Sequence, residues 1–346
     1  MKRIGFLYDK AFSKENISKA IDEAAKRKRK RRIVIKVLAN KEKYIDEIYE
    51  MMKNDSFVPS PYTVANYEDG IHKKKRVIYK PRFYPDQIVH WCIYLVIRDY
   101  VYKSLIKTTC ASIKGRGQIY GIKIIKKWLE DKHNTKYYLK MDVHHYYPSV
   151  NNDILISYLH TKIKDERFIA LIKSILDLES GLPIGMLLSQ IFANCYLSNL
   201  DHKLLEEKHV RMYMRYNDDM VIFGPNKREL HKLRLWIVDE LNKVDLYMKP
   251  NWQVFKTDKE MLDFMGFRLN HEKCIIRKKI MYRITRRARR YKKNPTYHRA
   301  CGVVSDYGFI KYSDSQWFYK NRIRPYVNYG EAKDIIRRKA NENIQK

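Results

Sequence analysis

The stretch "RYNDDMVIFG", residues 215 to 224, constrains the fold more than any other. It sets two adjacent carboxylates, Asp218 and Asp219, between the β-forming runs "RMYMRY" and "MVIFG". Asn and Asp tolerate the positive φ of a tight turn, so the runs are expected to pair as an antiparallel hairpin with Asp218 and Asp219 at its tip. Two like charges beside a hydrophobic sheet are costly unless something positive answers them.

The remainder of the chain is strongly cationic. Lys and Arg number 71 against 39 Asp and Glu, a formal net charge of +32, which attracts a polyanion over long range. Nucleic acid is the first candidate partner. An anionic membrane is the alternative, but no apolar run approaches the roughly 18 residues of a spanning helix, and Met1-Lys2-Arg3 leads into no secretory segment. No membrane partner is expected, and a soluble, cytoplasmic location is. The 346 residues allow about two domains. Cys92, Cys110, Cys195, Cys274 and Cys301 show neither paired nor zinc-like spacing and read as reduced thiols.

Along the chain, a helix that Ser13 can cap runs into the block "KRKRKRR", Lys26 to Arg32. A second helix, 40–53, carries Tyr44, Ile45, Ile48 and Met51 or Met52 on one side. A basic strand, Arg76 to Lys80, precedes Pro81 and Pro85 and an apolar helix from about Asp86 to Leu105. The alternation in "KYYLKMD" predicts a strand ending at Asp142. After Pro148 helical spacing resumes. "ESGLPIG" is a loop, and one long helix is expected from Leu187 or Ser189. A further helix, 226–244, and the apolar piece "LDFMGFRL" follow. From Lys273 to Lys293 basic residues surround a predicted helix and leave little apolar face, and the aromatic stretch after it can pack against what remains.

If the strand ending at Asp142 neighbours the 218–219 hairpin, three carboxylates converge at one sheet edge. Such a set suits Mg²⁺, which prefers oxygen ligands and is held by a few carboxylates plus substrate phosphates. Two such ions about 3.5–4 Å apart can activate a hydroxyl and stabilise the leaving oxygen of a phosphoryl displacement.

Taken together the motifs resemble the reverse transcriptases. "YLKMDVHHYYPSV" looks like that family's first aspartate motif, "GLPIGMLLSQIFANCYLSNLD" its template-and-nucleotide loop and helix, "MRYNDDMVIFG" its Tyr-x-Asp-Asp hairpin, and "LDFMGFRL" its primer grip. "RVIYKPRFYPDQIVHW" is similar to its fingers segment, and the matches follow the family order. The resemblance implies an α+β right-hand polymerase: a basic N-terminal segment (1–32), fingers (33–135), an antiparallel-sheet palm (136–270) and a basic helical thumb (271–346). It implies an RNA-directed DNA polymerase with two Mg²⁺ ions, Mn²⁺ being the alternative, and with template RNA, a DNA or RNA primer and dNTPs as partners.

Carried over by position, Asp142, Asp218 and Asp219, with the Val143 carbonyl, become metal ligands. Tyr147 becomes an aromatic gate against the ribose 2′-hydroxyl, while Lys80 and Arg82, with Arg76 as a weaker choice, grip the triphosphate. Gly185 and Gln190, with Ser189, adjoin the nascent base pair, and Lys249 protonates the pyrophosphate. Arg116, Gly266, Arg283, Arg286, Arg287 and Arg290 are expected on nucleic acid.

Two departures matter. Asn217 occupies the variable hairpin position, and "IGMLLSQ" ends in Gln190 where proline is common. The latter form is similar to the error-prone reverse transcriptases of diversity-generating retroelements, which implies a small basic accessory protein. A bacterial anti-phage defence reverse transcriptase and a non-catalytic, maturase-like RNA-binding protein are the rival readings.

Overall fold

The computed structural model describes residues 3–68 and 75–344, so Met1 and Lys2 lie outside it. The chain divides into two compact units, each assembled from three separate stretches.

The first unit comprises Met1–Thr109, Asp142–Val210 and Leu235–Pro250. Its Lys14–Ala25 helix starts as expected, with Ser13 Oγ accepting from the Asn16 amide at 3.3 Å. It buries Ile17, Ala20, Ile21 and Ala24 and packs on the apolar Ile88–Ser104 helix. The basic block forms the turn leading into the Arg32–Ala39 helix, and Lys28 there reaches Gln87. The Lys41–Lys53 helix buries the expected stripe, completed by Met52 rather than Met51. Strand β1 (Thr63–Glu68) pairs antiparallel with β2 (Lys75–Lys80), Thr63 opposite Lys80. The stretch expected to be one long helix is two, Leu187–Tyr196 and Ser198–Glu206, broken at Leu197.

His90, on the Ile88–Ser104 helix, is buried with Nδ1 unpartnered, and burial pulls its pKa down from 6.5 to about 4. Above pH 6.5 the imidazole is neutral in folded and unfolded chains alike. Between pH 6.5 and 4 only the unfolded chain takes up the proton, so stability falls with pH by about 3 kcal/mol before levelling off. His90→Gln should flatten that part of a urea-melt pH profile, and an unchanged slope would refute the assignment.

The second unit comprises Cys110–Met141, Arg211–Arg234 and Asn251–Lys346. Apart from the end residues Thr109 and Asp142, which are counted in the first unit, its main sheet contains β3 (Thr109–Cys110), β4 (Tyr137–Asp142), β5 (Tyr213–Tyr216), β6 (Asp219–Gly224) and β7 (Gln253–Lys256), in the order β3-β5-β6-β4-β7. The β5/β6 and β4/β7 pairs are antiparallel. One sheet face buries Tyr138, Met214, Val221 and Phe223 against Ile122, Ile125 and Leu129 of the Gln118–Leu129 helix.

A second sheet holds β8 (Leu262–Phe264), β9 (Phe267–Leu269) and β10 (Cys274–Ile276), all antiparallel. "LDFMGFRL" is therefore a hairpin that turns at Met265 and Gly266, both at positive φ. Gly266 is required there for space as well: a Cβ would stand 2.5 Å from the Ile280 side chain and 3.2 Å from Phe309.

The basic helix spans Lys278–Lys293, and here the expectation of little apolar face fails. Ile284, Ala288 and Tyr291 form a buried stripe, extended by Ile280 and Met281, against Ala300, Val303, Ile310, Phe318 and Ile323. The charges dominate by number, but three to four residues apart the apolar positions still align on one side. The following aromatic stretch supplies Tyr307, Phe309, Tyr319 and Tyr326 to that core, as its composition suggests. The cysteines are all reduced, and no helix among the described residues is long and apolar enough to cross a membrane.

Candidate active site

In the first unit Asp142, the last residue of β4, meets the 247–249 segment. The Lys249 amide donates to the Asp142 carbonyl at 2.9 Å, and the His144 amide donates to the Tyr247 carbonyl at 2.7 Å. Val143 bridges Met248 between these bonds, at a position where its own carbonyl takes no hydrogen bond from that partner. The Lys249 ammonium closes onto Asp142 Oδ2, while Oδ1 is buried with no hydrogen-bond partner.

One carboxylate oxygen held by an ammonium and the other unanswered is a donor set that fits a cation. Among the described residues no group of three or more His, Cys, Asp or Glu side chains is drawn together to hold a metal. Asp142 has Lys249 as its ionic partner, and Asp218 and Asp219 are adjacent at the hairpin. This is compatible with Mg²⁺, which takes many of its ligands from water and substrate phosphates.

Tyr147 follows in a short helix, Tyr146–Ser149. The Tyr147 carbonyl accepts from the Leu182 amide at 2.8 Å, and its ring meets Tyr146 edge-on at 5.6 Å. Tyr146 is buried and donates to the Ala193 carbonyl, which ties the pair to the Leu187–Tyr196 helix. Gly181, at φ 72°, lies so close to the Tyr147 and Pro148 backbone that any Cβ would collide with it. Gly185, at φ 115°, is likewise pressed on the Tyr79 carbonyl, and the Tyr79 amide donates to Ile184 at 2.8 Å.

Glycine is thus needed at both ends of this loop for close backbone approach. The approach brings the loop onto β2, whose last residue is the exposed Lys80, with the exposed Arg82 just beyond. Arg76 is also exposed on β2. Ser189 is buried and donates to the Pro183 carbonyl at 2.6 Å, which makes it a support for the loop, whereas Gln190 is exposed.

In the second unit β5 and β6 pair with Tyr216 opposite Asp219. Asn217, at φ 55°, and Asp218 make the turn, so Asp219 opens β6. Sequence reasoning missed Arg215. It is fully buried and donates to the Asn217 carbonyl at 3.0 Å. With Arg116 it partly offsets the burial that pushes the Cys110 thiol up to about 12. Its only signal in the sequence is a charge within an otherwise apolar and aromatic strand.

Arg283 and Arg287, expected on nucleic acid, both bind the buried Asp306 at 3.0 and 3.1 Å and so tie the Lys278–Lys293 and Tyr297–Lys311 helices together. Arg286 and Arg290 remain exposed.

A sheet of antiparallel pairs, with the strand closing on Asp142 next to the strand opening on Asp219, is the architecture of a right-hand polymerase palm. Apo telomerase from Candida tropicalis shares the fold, with a TM-score of 0.51, 14% identity, and 72% of this chain and 53% of that one covered. Residues 71–276 match the family model for reverse transcriptase (RNA-dependent DNA polymerase), and the chain belongs to that family.

The group II intron-encoded protein LtrA of Lactococcus lactis is 24% identical over 216 residues, 59% of this chain and 35% of that protein. A 91 kDa protein in the cob intron of Schizosaccharomyces pombe is 28% identical over 171 residues, 45% of this chain and 20% of that protein. The aligned regions thus span about a third or less of these curated relatives.

Proposed function

We propose that this chain is an RNA-directed DNA polymerase that extends a primer with dNTPs along an RNA template. The observation that carries the reading is Asp142. Its buried carboxylate oxygen lacks a partner while its other oxygen holds a lysine, on the strand next to the one that opens with Asp219. Asp142, Asp218, Asp219 and the Val143 carbonyl would hold two divalent ions, Mg²⁺ or Mn²⁺. Divalent metal, when bound, neutralises charge on the transferring phosphoryl group and favours ionisation of the primer hydroxyl.

The chain's own residues do the rest. Lys80 at the end of β2 and Arg82 just beyond it grip the triphosphate, and the Gly181–Gly185 backbone lets the template loop come close to β2. Lys249, beside Asp142, donates its proton to the departing pyrophosphate oxygen. Tyr147, braced by Tyr146 and Leu182, excludes a 2′-hydroxyl. Gln190, exposed at the start of its helix beside that loop, supports the diversity-generating subtype through a changed contact with the templating base, and a small basic accessory protein belongs to that reading.

The test is extension of a primer annealed to RNA, with each dNTP or NTP supplied separately and the products sequenced. Wild type should use dNTPs, with errors concentrated opposite template adenines. Tyr147→Ala should raise relative NTP use by about tenfold or more. Unchanged sugar discrimination would remove Tyr147 from the gate.

A further inference from the structure

The Gln118–Leu129 helix buries Ile122, Ile125 and Leu129, which turns Lys123, Lys126 and Lys127 outward on one face. At the end of the Tyr297–Lys311 helix, Lys311 and Tyr312 complete a cavity of about 400 Å³ with these lysines, and Glu130 is its one acidic lining residue. Both helices are fixed: Ile119 lies against Gly308, and Phe309 stacks on Phe267 at 5.2 Å.

Tyr312 lies under two ammonium groups, with Lys123 at 4.5 Å and Lys311 at 5.6 Å from its ring centre. Lys126 comes only within 3.9 Å of Asp314, and Lys123, Lys127 and Lys311 have no carboxylate partner among the described residues. Lys123 also lines a neighbouring cleft of about 460 Å³ with Gly115, Gly117 and Gln118.

We propose that this face binds the phosphate backbone of RNA outside the primer–template duplex. Four lysines, with Glu130 in the lining and Asp314 3.9 Å from Lys126, leave a net positive charge that phosphate oxygens would offset. Lys123 and Lys127 lie about 6 Å apart along the helix axis, about two stacked nucleotides. Ammonium groups pair with phosphate oxygens, which carry no sequence information, so recognition is of backbone and not of sequence. None of these residues belongs to the polymerase motifs, so the proposal stands apart from the catalytic reading.

The test compares the full chain with a Lys123→Gln/Lys127→Gln/Lys311→Gln variant and the corresponding triple Lys→Arg variant. Binding to a long single-stranded RNA, in two unrelated sequences, is titrated over a range of salt. The Gln variant should lower the log–log salt slope by about two to three for both sequences, and the Arg variant should keep the wild-type slope. Extension of a minimal primer–template should be unchanged.

An unchanged slope overturns the proposal, as does a loss confined to one sequence. An equal loss on the minimal duplex would place the face in the polymerase cleft and overturn it too. Lost binding to anionic vesicles with RNA binding intact would overturn it in favour of a membrane surface.

Discussion

Replacing Asp142 with asparagine should lower Mg²⁺-dependent nucleotide addition by about a thousandfold, because metal-held charge contributes several kcal/mol and each tenfold in rate is about 1.4 kcal/mol. The fold should survive. Asp142 Oδ1 is buried without a partner, so removing the charge ends a desolvation cost. The pair with Lys249 is partly exposed, at 23% and 29% of the two side chains, and such pairs add little to stability. The melting temperature should stay within about 3 °C of wild type. Single-turnover extension beside a thermal melt checks both parts, and activity within tenfold of wild type would remove Asp142 from the chemistry.

Arg215→Leu should do the opposite and unsettle the structure itself. Arg215 is the largest fully buried side chain, and its guanidinium holds the Asn217 carbonyl at the turn that carries Asp218 and Asp219. Loss of a charged hydrogen bond, together with imperfect refilling of the site, should cost about 3 kcal/mol, or about 8 °C in melting temperature. Arg215→Lys keeps the charge but not the planar fork, and should fall between the two. Calorimetry decides the matter: a melting temperature within about 2 °C of wild type for the Leu variant would show that the turn stands without its arginine.

The hairpin was legible because two signals agreed, β-forming runs on either side and Asn217 at the one residue that takes a positive φ. β4 was legible from its alternation, and its neighbour β6 could be named only as a condition. β1 was missed because "TVANYE" is exposed on both faces and carries no burial pattern. The Glu166–Leu176 helix was passed over although Asp165 caps it and Phe168, Ile169, Ile172 and Ile175 mark its inner face.

The stripe on the basic Lys278–Lys293 helix was hidden by the number of its charges. Arg215 was missed because burial of a charge depends on partners that no local pattern announces. The pairing of Asp142 with Lys249 spans 107 positions, and spacing alone could place Lys249 near the chemistry only through family resemblance. The glycines at 181 and 185 are explained by the backbone of residues 79 and 147–148, also distant in the chain.

The central claim is that carboxylates from separate strands hold divalent metal where a DNA strand grows. Its most direct test is extension of a primer on RNA by wild type and Asp218→Asn, with Mg²⁺ and with Mg²⁺ chelated. Wild type should add dNTPs along the RNA, while the variant and the chelated sample should both lose about three orders of magnitude in rate and still bind RNA within about twofold of wild type. Equal extension by wild type and Asp218→Asn, or extension that persists after chelation, would contradict the account.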